Sequence, residues 1–194
     1  MKAIALTALA AAAGLATASP VLTTSLTDYT VDNAGTATSS MTLDVSGFQF
    51  NDAAGSPLNQ ILSVFTGVGS VITGISWNVN LTSIGASWGS EAVMLFEGQI
   101  NLTVSGDGAP VSNQNYDSMG IVDLTDAGVP NIVMSADGIL DIEFLESFVD
   151  NGGSGDNFFE ANSSVTIYGN NIVPTPGSLA VLGLGGLVAG RRRR

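Results

Sequence analysis

Residues Ile75–Thr82 read ISWNVNLT. Ile75, Trp77, Val79 and Leu81 alternate with Ser76, Asn78, Asn80 and Thr82. A period of two puts one apolar and one polar row on opposite faces, which is the signature of a half-buried strand. The same alternation recurs outward in both directions. Met41, Leu43 and Val45 enclose Thr42 and Asp44, while Ile100, Leu102 and Val104 enclose Asn101 and Thr103. Leu140, Ile142 and Phe144 enclose Asp141 and Glu143, and Val165 and Ile167 alternate with Ser164 and Thr166. Residues 91–97 (EAVMLFE) form a near-continuous apolar run with an acid at each end, short enough for a strand buried on both faces. Residues 58–65 (LNQILSVF) fit either a strand or a short helix. Turn-forming residues separate these segments, at Asn33–Gly35, Gly106–Gly108, Ala127–Pro130, Asp137–Gly138 and Asn151–Gly155. Eight or more strands are expected, and the absence of a fixed period argues against a solenoid or propeller. The expected class is all-β, a two-layer antiparallel β-sandwich over residues 19–172.

Charge divides the chain sharply. The five basic residues are Lys2 and Arg191 to Arg194, while all 17 acids lie between Asp28 and Glu160. Without its two ends the body carries a formal charge of −17 and no cation. It therefore has no Lys or Arg for salt bridges, and nothing with which to neutralise nucleic-acid phosphates. Charged residues make up 11% of the chain, below the ~25% of ordinary soluble domains, so polar surface falls to Ser, Thr, Asn and Gly. With no Cys and no His, disulfides, thiolate metal sites and Ser-His-Asp or Cys-His chemistry are excluded.

The ends read as addresses. Residues 1–18 have the form of a helical signal peptide. Lys2 is a minimal charged start, Ala3 to Leu15 an apolar core, and Ala16-Thr17-Ala18 a small-residue cleavage site for signal peptidase. Residues 173–194 read VPTPGSLAVLGLGGLVAGRRRR. Pro174 and Pro176 around Thr175 hold the backbone extended. The apolar run 179–190 would rise ~18 Å as a helix, short of the ~30 Å of a bilayer core. Arg191, Arg192, Arg193 and Arg194 would remain on the cytoplasmic side. This order of motif, apolar segment and arginine cluster resembles the PEP-CTERM sorting signal of Gram-negative bacteria, with Thr175 where that signal usually has Glu. The resemblance covers about 22 positions. It implies processing by an exosortase-type enzyme after transient inner-membrane anchoring through a short helical segment. It also implies delivery to the cell surface or extracellular matrix, in association with exopolysaccharide and biofilm. The body, in the pattern from Ile75 to Phe96 and again from Gly138 to Tyr168, is similar to the jelly-roll P domain of furin- and kexin-type proteases. That implies eight strands in a jelly roll and carries over no functional residue.

Within the body, the segment 150–160 (DNGGSGDNFFE) offers oxygen ligands for calcium from Asp150, Asn151, Asp156 and Glu160, with Asn157 beside them. It departs from the EF-hand pattern, with Gly152 and Ser154 at ligand positions and Ala161 at the twelfth. A mobile loop between two strands is the plainer alternative. Glu91, Glu97, Glu143 and Glu146 are the carboxylates a glycosidase would need. They read instead as strand-end gatekeepers (Glu91, Glu97) and as the wet face and exit of one strand (Glu143, Glu146). Trp77 belongs to the apolar face of its strand. Trp88, in a Gly/Ser-rich turn, is a candidate platform for stacking a sugar. The sequence therefore points to an exported, non-enzymatic protein with no required cofactor. The alternative is a carbohydrate- or calcium-binding module.

Overall fold

The computed structural model describes residues 39–152 and 155–172 and the backbone of residues 24–26. The segments read from sequence as a signal peptide (1–18) and a sorting signal (173–194), and the turn expected at Asn33–Gly35, lie outside them. The described chain is all-β, with one 3-10 turn at Gly89–Glu91. Its strands in order are β1 (Thr24–Leu26), β2 (Ser39–Asp44), β3 (Gln49–Phe50), β4 (Gln60–Phe65), β5 (Val71–Ser83), β6 (Ala92–Phe96) and β7 (Ile100–Thr103). There follow β8 (Gln114–Asp117), β9 (Val122–Asp123), β10 (Ile132–Val133), β11 (Ile139–Glu146), β12 (Asn157–Phe159) and β13 (Ser164–Asn170).

The stretch ISWNVNLT lies within β5, the longest strand, and β5 is the spine of the larger sheet. One edge of β5 pairs with β13 over residues 71–78 and with β12 over 81–83. Its other edge takes β10, β9 and β8 in turn. Beyond these lie β2 on β13 and β3 on β12. The smaller sheet has the order β1-β7-β6-β11-β4. Pairing is antiparallel throughout except for β1 on β7, which is parallel.

The alternation on β5 has the predicted outcome: Ile75, Trp77, Val79 and Leu81 are buried, while Asn78 is exposed. Residues 92–96 of β6 are buried on both faces. Ala92, Met94 and Phe96 enter the main core, while Val93 and Leu95 form a small second cluster with Leu145. Residues 60–65, ambiguous in sequence, form β4, because β11 supplies a complete antiparallel partner from Phe65↔Ile139 to Gln60↔Phe144.

The two sheets share one hydrophobic core. Its centre is aromatic. Phe144 of β11 stacks on Phe48 at 4.3 Å between centroids and meets Phe50 and Phe159 edge-on at 5.6 and 6.2 Å. These three rings come from the segments 48–50 and β12 of the other sheet, so Phe144 fastens one sheet to the other. Offset and edge-on ring pairs add to simple area burial.

A candidate ligand cleft at Trp88

The corner where β6 begins and β11 ends brings an aromatic-lined cleft next to a buried carboxyl. The 3-10 turn Gly89–Glu91 leads into β6, and Glu91 closes it by accepting the Trp88 N–H at Oε2 (2.8 Å). The Glu91 N–H donates back to the Trp88 carbonyl at 3.1 Å. Across the sheet, the Ser147 N–H donates to the Glu91 carbonyl at 2.9 Å, which places Phe148 and Asp150 beside this turn. Trp88, 47% exposed, and Phe148, 62% exposed, line one cleft of about 480 Å³ together with Ala86, Glu91 and Asp150. A Cβ added at Gly108 would lie 3.6 Å from the Trp88 ring, so the ring sits next to the Gly106–Gly108 turn.

Behind this cleft lies Glu146. It is the last residue of β11, the strand exit expected from the sequence, and it is buried there, 1% exposed. The sequence carried the signal: Glu146 has the same parity as Leu140, Ile142 and Phe144, the core-facing row of β11. Its Oε1 accepts the Asn157 side-chain amide at 2.8 Å, and that amide also donates to the Trp88 carbonyl at 3.2 Å. Glu146 Oε2 and Asn157 Oδ1 are buried with no hydrogen-bond partner. Burial pushes the Glu146 carboxyl up to about 8. The Asn157 bond opposes this, and the charges of Asp156, Glu91 and Asp150 add to it. Glu146 therefore holds a proton at neutral pH.

Of the residues proposed for calcium, Asp156 is fully buried and accepts the Asp150 N–H at 2.9 Å and the Asn151 N–H at 3.2 Å. Its carboxylate thus orders its own loop. Asn151 reaches the Ile84 carbonyl at 3.4 Å. Glu160 is turned elsewhere, accepting the Thr82 hydroxyl at 2.9 Å. Among the described residues no group of three or more acids is disposed to hold a metal ion.

The other carboxylates act as fasteners. Glu97 accepts the Asp141 N–H at 2.6 Å, tying the end of β6 to β11. Glu143 accepts the Gly55 N–H and the Asn59 amide, both at 2.7 Å. Trp77 is core, 3% exposed. A second cleft, of about 350 Å³, lies over the outward face of β5 and β13. Its side chains bond one another, Asn78 to Asp117 at 3.0 Å and Ser76 to Tyr168 at 3.1 Å. Trp88 stood out in the sequence as an aromatic in a Gly/Ser-rich turn, and the structure leaves it partly exposed. Phe148 did not stand out, because an aromatic just past a strand is indistinguishable from core until the fold exposes it.

No protein-family profile matches the chain, and no curated protein and no solved structure is significantly similar to it.

Proposed function

We propose that the chain is exported cargo. The signal peptide of residues 1–18 directs it across the inner membrane. The C-terminal segment 173–194 holds it there until an exosortase-type enzyme cuts near Pro174-Thr175-Pro176. The body, a jelly-roll β-sandwich, is then delivered to the cell surface or extracellular matrix as a non-enzymatic component. The observation that carries this reading is the charge division: every basic residue lies in one of the two ends, and every acid lies in the body. Two sheets around one core support the sandwich. Intact-mass measurement of the protein from its native culture tests the reading. The expected product starts at Ser19 and lacks Arg191 to Arg194. Secreted protein that retains its arginines, or full-length protein confined to the cytosol, would sink it.

The cleft favours a second reading, that the delivered body binds carbohydrate. Two exposed aromatics on one cleft are costly to leave in water unless a ligand covers them, and sugar rings present an apolar face to such platforms. Affinity electrophoresis in neutral and charged polysaccharide gels tests this, with Trp88→Ala and Phe148→Ala as controls. The expected result is retardation of the parent protein and free migration of both variants.

A further inference from the structure

We propose that the Trp88–Phe148 cleft is selective for a saccharide bearing free ammonium groups, an oligomer of 2-amino-2-deoxy sugars. This rests on the carbohydrate reading and specifies the ligand of the same cleft. Three observations select the charge. First, Glu91 and Asp150 line the cleft beside the two rings, and residues 3–190 contain no Lys, Arg or His to balance them. Second, negative charge is concentrated at this corner. Asp156 is buried behind Asp150, and Glu146 keeps its proton partly because these carboxylates surround it. Third, a ring face attracts a cation as well as the C–H face of a sugar, so one aminosugar residue can satisfy both Trp88 and the carboxylates. A uronic acid would bring a like charge into an uncompensated negative site. An N-acetylated sugar would stack but leave both carboxylates without a counter-charge. The cleft volume lies within the ordinary range for small-ligand sites.

Titration calorimetry with the full-length chain at 0.15 M salt tests this. The probes are a glucosamine hexasaccharide, its N-acetylated counterpart and a galacturonate hexasaccharide. The free-amine oligomer should bind about tenfold tighter than the N-acetylated one, and galacturonate should not bind. The double variant Glu91→Gln, Asp150→Asn should lose that preference while still binding the N-acetylated oligomer. The Glu91→Gln change retains a side-chain oxygen to accept the Trp88 N–H, and circular dichroism would verify the fold. Trp88→Ala should weaken both oligomers about tenfold. Equal affinity for the two oligomers, or a preference that survives in the double variant, overturns the inference and leaves the carbohydrate reading standing. Amine-oligomer binding unchanged in Trp88→Ala also overturns it, since the ligand is then adsorbed on the acidic surface at large. Absence of binding to every probe removes the carbohydrate reading itself, and this inference with it.

Discussion

Glu146 and its neighbours set how the protein responds to pH. A carboxyl whose folded pKa is raised holds more protons when folded than when unfolded. Its contribution is complete below its unfolded value near 4.5 and is lost as pH rises through about 8. Across that window stability should fall by at most about 1.4 kcal/mol per pH unit from this group. Burial raises Glu97 as well, so it adds to the same trend. On the acid side the sign reverses. Neighbouring Ser and Thr hydroxyls hold Asp44, Asp52, Asp123 and Asp137 below the ordinary carboxylate value. Their contribution is present above about 3.8 and is lost as they protonate. Chemical denaturation from pH 3 to 9 should therefore show maximum stability near pH 4–5. Glu146→Gln keeps an oxygen for the Asn157 amide and removes the titrating group, so its alkaline limb should be markedly flatter. An alkaline limb as steep as the parent's would show that Glu146 is not its source.

At the scale of elements, β5 and β13 carry the larger sheet, and one glycine permits their closest approach. The register between them shifts at Tyr168/Gly169, and a Cβ at Gly169 would collide with the Val71 carbonyl. Backbone there cannot yield as the tip of a flexible side chain can. Gly169→Ala should cost roughly 1–3 kcal/mol, read from the denaturant midpoint. Gly138 is constrained twice, by φ +66° and by the backbone of Gly67 and Val68 against its missing Cβ. These limits were not legible in the sequence, because they depend on which strand lies opposite. The strands themselves were legible where alternation was strong, as at Ile75 to Leu81. They were not at β8, Gln114–Asp117, whose polar residues form a strand only because the free edge of β5 accepts them. At β4, an edge strand with Ile61 53% exposed, the apolar pattern was too incomplete to choose between strand and helix. The candidate cleft was half legible for a similar reason: Trp88 stood out in its turn, while Glu146 and Phe148 needed the β6–β11 pairing to bring them to it.

For the whole molecule, attraction between the sheets works against self-repulsion of the acids. Attraction is concentrated at Phe144, fully buried and in contact with three rings of the other sheet. Phe144→Ala should cost about 3–5 kcal/mol and lower the unfolding midpoint accordingly. Repulsion comes from carboxylates with no cationic partner between residues 3 and 190. Hydrogen bonds from hydroxyls and backbone N–H groups, as at Asp52, Asp123 and Asp156, stabilise individual carboxylates but leave the net charge unchanged. Screening does reduce the repulsion, because the Debye length falls from about 30 Å at 0.01 M to about 3 Å at 1 M. The midpoint at pH 7 should therefore rise continuously from 0.01 to 1 M sodium chloride. The gain should be larger in protein freed of its basic ends than in the full chain, since Lys2 and the four arginines offset part of the charge. Calcium chloride at matched ionic strength separates screening from site binding. An equal rise is the signature of screening, whereas an additional rise that Asp156→Asn abolishes would locate an ion at the Asp150–Glu160 loop. A midpoint that does not move with sodium chloride would mean that the acids are too far apart to repel, and the salt argument would fail.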